Sequence, residues 1–267
     1  MSAVDRMFQE LRKSGKKAFI PFVTAGDPDL EFTAAVLNEL VARGSSLCEV
    51  GIPYSDPIAD GPVIQDSYTR ALGHKIKVAD ILATLRQVAP KSKSPMLTMV
   101  SYAIIHRYGI DRYIQESQAA GLSGMIVPDL LVEESDQLAA LCKKLDFSLV
   151  QLITPTTSEE RSLKIAQTAT GFIYYVSVTG ITGERRDLPQ ELIDRLGWLR
   201  EQTDVPVCVG FGISEPAHVR QLAPVADGVI VGSAIVRRVS EGLKRPRADV
   251  IREIGDYAAS LIKALDG

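Results

Sequence analysis

Eight short apolar runs recur along the chain, at 18–24, 47–51, 96–101, 124–127, 148–153, 172–177, 207–210 and 228–231. Longer amphipathic stretches separate them, and this alternation sharply limits the folds open to the chain. The runs are rich in Val, Ile, Leu, Phe and Met without strict polar alternation, the pattern of parallel strands buried on both faces. Helical patterns lie between them, at 30–41, 111–120, 133–144, 159–169, 190–202 and 216–222. Asp29 and Ser158 read as helix caps, and Ser214-Glu215 leads into a helix-tolerated Pro216. A further helix at 4–13 precedes the first strand, and 242–246 separates the last barrel helix from a C-terminal one at 248–265. Eight βα units without a Ser- or Gly-rich linker predict an α/β fold, a (β/α)8 TIM barrel with an extra N-terminal helix and an added C-terminal helix. Residues 1–267 are expected to form one such domain. The competing arrangement is a doubly wound open sheet, but no G-x-G-x-x-G follows the first strand. In a barrel, the chemistry belongs at the carboxyl ends of the strands.

The composition suits a globular chain, with 46% hydrophobic residues, 24% charged residues and a net charge of −3. The most basic run, Lys244-Arg245-Pro246-Arg247, is short and Pro-broken and reads as a solvated turn, which argues against nucleic acid as a partner. No apolar run reaches the length of a membrane helix, and the N-terminus lacks a signal-peptide core. Cys48, Cys142 and Cys208 form neither a metal-ligand spacing nor an even set for disulfides. These features point to a reduced, cytoplasmic setting.

The segment with most chemical content is CEVGIPYSDPIADGP, Cys48 to Pro62. Glu49 lies within an apolar strand, where an unpaired carboxylate is costly to bury. Asp60 lies on the loop that follows, stiffened by Pro53 and Pro57. A buried acid on a strand with a second acid on the next loop suits proton transfer. Burial is expected to raise the Glu49 pKa.

Three glycine-bearing segments follow the last three strands: TGITGERRDLP (179–189), GFGIS (210–214) and GSA (232–234). Glycine lets backbone N–H groups approach an anion, and a helix N-terminus adds unpaired N–H groups. Barrels often bind phosphate between the loops after strands seven and eight. Gly183, Gly212, Gly232 and Ser233 are the expected phosphate ligands, against the plainer reading of tight βα turns. Arg185 and Arg186 either flank this site or are solvated loop charges.

With these pieces in place, the chain resembles the α subunit family of tryptophan synthase almost end to end. The resemblance rests on PFVTAGDP (21–28), EVGIPYSDPIADGPVIQ (49–65), VPDL (127–130), TPTTSEER (154–161), VTGITGER (178–185), VGFGIS (209–214) and DGVIVGSAIV (227–236). It implies retro-aldol cleavage of indole-3-glycerol phosphate to indole and glyceraldehyde 3-phosphate. It also implies Glu49 and Asp60 as the catalytic acids and Phe22 on the indole-pocket wall. Tyr174 matches a site tyrosine, with Tyr175 as the one-residue alternative, and Thr182 matches a threonine on the closing loop. The implied partner is a pyridoxal-phosphate-dependent β subunit in an α2β2 complex, with no cofactor or metal on this chain.

Two loops depart from the family pattern. Tyr102-Ala103-Ile104 stands where a Tyr-Asn-Pro run is usual, and Leu131 where a proline is usual after Pro128-Asp129-Leu130. Both belong to the β-facing surface of the family, so the expectation is a complex with altered affinity or activation. Three other readings compete. A stand-alone lyase would use the same residues. Another phosphate-binding barrel would leave Glu49 and Asp60 unexplained. A purely allosteric barrel would not need the acid pair. A Schiff-base aldolase would need a strand lysine, and none of the eight runs has one.

Overall fold

The computed structural model describes residues 1–58, 60–177, 189–210 and 212–267. The strands are β1 (Ala18–Thr24), β2 (Cys48–Gly51), β3 (Met96–Met99), β4 (Gly124–Ile126), β5 (Ser148–Ile153), β6 (Ile173–Val176), β7 (Val207–Gly210) and β8 (Gly228–Val231). They pair in parallel in sequence order, and β8 closes on β1. The expected barrel is therefore present. The helices among the described residues are α1 (Ala3–Lys13), α2 (Leu30–Ala42), α3 (Pro62–Gly73), α4 (Val78–Val88), α5 (Tyr102–Tyr108), α6 (Ile110–Ala119), α7 (Asp136–Lys144), α8 (Glu159–Thr168), α9 (Gln190–Gln202), α10 (Pro216–Leu222), α11 (Ser233–Gly242) and α12 (Arg247–Leu265).

The doubly apolar strands follow from two separate cores. Phe19, Val23, Cys48, Val50, Met96, Met125, Leu149, Ile173, Val207 and Val229 pack outward under the helices. Ala18, Ile20, Phe22, Leu47, Leu97, Ile126, Val150, Tyr174, Cys208 and Ile230 fill the barrel. Side chains alternate along a strand. With Leu47 inside and Cys48 and Val50 outside, Glu49 points into the barrel.

The two extra helices do different work. A reciprocal cap between Ser2 and Asp5 starts α1, and Val4 and Phe8 then plug the barrel floor. The Phe8 and Phe172 ring centroids lie 5.8 Å apart, and Ser148 Oγ donates to Ser2 Oγ at 2.8 Å. Helix α12 packs outside against α2, α10 and α11. The floor is thus closed, and the opposite mouth is left for chemistry. The Lys244–Arg247 turn is exposed, and its two arginines pair with Glu253 and Asp29.

Three boundaries differ from expectation for local reasons. Strand β3 stops at Met99 because Ser101 caps α5, its Oγ accepting from Ala103 N at 3.3 Å. The stretch expected as one helix at 133–144 splits into a 3-10 turn at Val132–Glu134 and α7. The Ser135 hydroxyl donates to the Val132 carbonyl at the break. Helices α3 and α4 lie outside the helical stretches expected from the sequence.

One ion pair ties the first loop to α3. Arg70 holds Asp27 bidentately, at 2.8 and 2.7 Å. The Asp27 side chain is 2% exposed, so removing its partner strands a buried carboxylate. Arg70→Met is expected to destabilise the fold by about 3 kcal/mol in chemical denaturation. A loss below measurement error would show that this pair does not anchor α3.

Candidate active site

Glu49 is fully buried, and among the described residues neither carboxyl oxygen has a hydrogen-bond partner. Burial alone pushes its pKa well above the ordinary carboxyl range. An ionised carboxylate without partners in such a place is expensive, so the group is held as the neutral acid. Its strand neighbours in register are Phe22 on β1 and Leu97 on β3.

Asp60 sits on the loop between β2 and α3 and is partly buried. Its backbone N–H donates to the Pro57 carbonyl at 3.0 Å. The Gln65 side-chain amide donates to the Asp60 carbonyl at 2.7 Å. Burial pushes the Asp60 carboxyl up to about 6. The two acids therefore divide near neutral pH, one protonated and one ionised. That is the division acid–base catalysis needs.

Tyr174 belongs to the barrel interior, while Tyr175 points outward. This separates the two candidates for the site tyrosine. Burial first, then the charges of Glu49 and Asp60, raise the Tyr174 phenol well above its usual value. The ring closes on Gly210, where an added methyl would come within 2.2 Å of the Tyr174 hydroxyl. Phe22 is buried between the glycines of its two neighbouring strands. A methyl on Gly51 would lie 2.4 Å from Phe22 Cζ, and one on Gly232 3.4 Å from Phe22 Cβ.

At the mouths of β7 and β8, Gly212 is exposed with φ +75°, in the left-handed region that favours glycine. Gly232 is the N-cap of α11, and Ser233 is its exposed first residue. These three residues of the expected anion cradle thus lie at the ends of β7 and β8. Thr182 and Gly183, with Arg185 and Arg186, lie outside the described residues.

The sequence reading missed Tyr68. It is 1% exposed and lies in the barrel cluster with Phe22 and Tyr174. A signal exists in the sequence. Ile64, Ser67, Tyr68 and Ala71, the buried face of α3, stand at i, i+3, i+4 and i+7 after a proline at the helix start. Among the described residues, no group of three or more His, Cys, Asp or Glu side chains stands close enough to hold a metal, and no helix is long and apolar enough to cross a membrane. All three cysteines are free and buried.

The closed parallel barrel places the chain among the (β/α)8 proteins, whose chemistry sits at the carboxyl ends of the strands. Comparison with known proteins narrows that class. The family model described as tryptophan synthase alpha chain matches residues 8–263. The chain is 51% identical to the tryptophan synthase alpha chain of Rhodopirellula baltica, over 100% of this chain and 99% of that one. It is 44% identical to that of Rippkaea orientalis, over 99% and 98% of the two chains. Among solved structures, the alpha subunit from Legionella pneumophila superposes with a TM-score of 0.90 at 36% identity, covering 100% and 99% of the two chains. A tryptophan synthase chain from M. tuberculosis gives a TM-score of 0.86 at 30% identity, covering 98% and 100%. The chain belongs to the tryptophan synthase alpha chain family, and its reaction is the carbon–carbon cleavage of indole-3-glycerol phosphate.

Proposed function

We propose that Glu49 and Asp60 carry this cleavage and that the chain works as the α subunit of a two-subunit enzyme. The observation that carries the reading is the fully buried Glu49 carboxyl inside the barrel, with no hydrogen-bond partner among the described residues. Neutral Glu49 gives its proton to indole C3, which breaks ring aromaticity and leaves positive charge on the ring nitrogen. Asp60, as carboxylate, accepts the indole N–H and stabilises that charge. Glu49, now ionised, takes the proton of the hydroxyl on the adjacent side-chain carbon. The C–C bond opens, its electron pair returns to the ring, and the carbon becomes an aldehyde. These steps need only the two carboxyl groups. Phe22 and Tyr174 wall the indole. Gly212, Gly232 and Ser233, with Gly183, hold the phosphate, and Thr182 serves the closing loop.

The released indole passes to a pyridoxal-phosphate-dependent β subunit in an α2β2 complex in the cytoplasm. This chain contributes one barrel domain, residues 1–267, and no cofactor of its own. A docking face at the barrel mouth is consistent with exposed apolar side chains there. Ile58 is 93% exposed and Leu131 51% exposed. The loops bearing Ala103, Ile104 and Leu131 are tied together beneath that face. Asp129 accepts from Ser101 Oγ at 2.7 Å and from Tyr102 N at 2.8 Å. The departures from the usual loop residues thus leave these loops anchored.

The test is indole release by the chain alone and after mixing with the β chain from its own source. Mixing is expected to raise the rate. An unchanged rate would overturn the docking reading, and brisk turnover without the partner would favour a stand-alone lyase.

A further inference from the structure

We infer that Tyr68 is a further substrate-contacting residue of this site, its hydroxyl donating to the unreactive hydroxyl on the middle carbon of the substrate's three-carbon chain. The inference rests on the lyase reading above and deepens it.

Tyr68 comes from α3, which the Arg70–Asp27 pair anchors to the first loop, so its ring enters the barrel on a fixed helix. It packs in the interior cluster with Phe22, Ile64, Met99 and Tyr174. Its hydroxyl lies over Gly51, where an added methyl would sit 2.9 Å from it and 2.4 Å from Phe22 Cζ. Gly51 is the next inward position of β2 after Glu49, one step toward the barrel mouth. The Tyr54 ring, 5.6 Å away between centroids, covers Tyr68 from the β2–α3 loop. The phenol thus stands beside the indole-pocket wall, at the strand position next inward after Glu49.

Among the described residues, none donates to or accepts from this hydroxyl. A phenol O–H that faces a site without a protein partner is available to pair a polar group of the ligand. Burial, and then the charge of Asp60, keep the phenol protonated and able to donate.

The substrate leaves one partner for it. The ring N–H goes to Asp60, the reacting hydroxyl to Glu49 and the phosphate to the glycine cradle. The remaining polar group is the hydroxyl between the reacting carbon and the phosphate ester. A phenol beside the tip of the Phe22 ring, over Gly51 at the acid-pair end of the site, is placed at the start of that span, while Gly232 faces the other end of Phe22.

The experiment pairs a change in the protein with the matching change in the substrate, in the presence of the β chain. Wild type and Tyr68→Phe are each assayed on indole-3-glycerol phosphate and on the analogue with hydrogen in place of the middle hydroxyl. The substitution is expected to lower kcat/KM about tenfold on the natural substrate. On the deoxy analogue, wild type and variant should be equal, because the contact is already gone. The same loss on both substrates, or no loss on either, would overturn the assignment, since a merely structural role does not distinguish the two substrates. Failure of wild type to release indole from the natural substrate would instead overturn the lyase reading beneath it, and this assignment with it.

Discussion

Replacing Glu49 with Gln is expected to lower indole formation by roughly two to four orders of magnitude, the range for losing a general acid–base group. The barrel should remain folded. The amide matches the neutral carboxyl in shape and cannot supply a proton to indole C3. The same substitution should stabilise the protein at neutral pH. Burial raises the folded-state pKa of Glu49, so its favourable contribution is complete below the unfolded value of 4.5. It is lost as pH rises toward the folded value, because the unfolded chain ionises first. Each pH unit in that window costs the wild type about 1.4 kcal/mol relative to the Gln variant, up to roughly 3 kcal/mol by pH 7. Denaturant melts of both proteins at pH 4 and pH 7 would show the curves together at the lower pH and apart at the higher. A gap that shrinks with rising pH would mean Glu49 is ionised in the folded state.

Asp60→Asn is expected to cost roughly two to three orders of magnitude in kcat, the loss typical of one preorganised group facing developing charge. Asn can still accept from the indole N–H but carries no charge to balance the protonated ring. The pH dependence carries the sharper signature. The working form of Asp60 is the carboxylate, and burial places its pKa at about 6. Wild-type kcat/KM should therefore rise through about pH 6 and fall only at the higher pH where Glu49 loses its proton. In the Asn variant the acid limb near 6 should vanish while the alkaline limb stays. Persistence of the acid limb would assign it to another group.

The strands were legible because their burial is two-sided. Outward Val23, Cys48 and Val209 and inward Phe22, Leu47 and Cys208 are all apolar, so each strand reads as a continuous run. Glu49 stood out against that background, and simple alternation placed it inside. Helix α3 was harder to see. No side chain caps it, and its buried face includes Ser67, whose hydroxyl lies 2.6 Å from Thr24 Oγ1 across 43 residues. The Asp27–Arg70 pair spans the same separation. Tyr68 was hidden for a related reason. Its place beside Phe22 depends on the missing side chain at Gly51, a contact between elements that no local pattern records. The end of β3 was misread because Ser101 suits a strand end as well as a helix cap, and the cap prevails through its bond with Asp129.

Cleavage by this route requires a proton stored on Glu49 of the folded enzyme at neutral pH. Infrared difference spectroscopy of wild type against Glu49→Gln at pH 7 measures this directly. The account predicts a protonated-carboxyl C=O stretch that is present in wild type and absent from the variant. A carboxylate band in its place would contradict it.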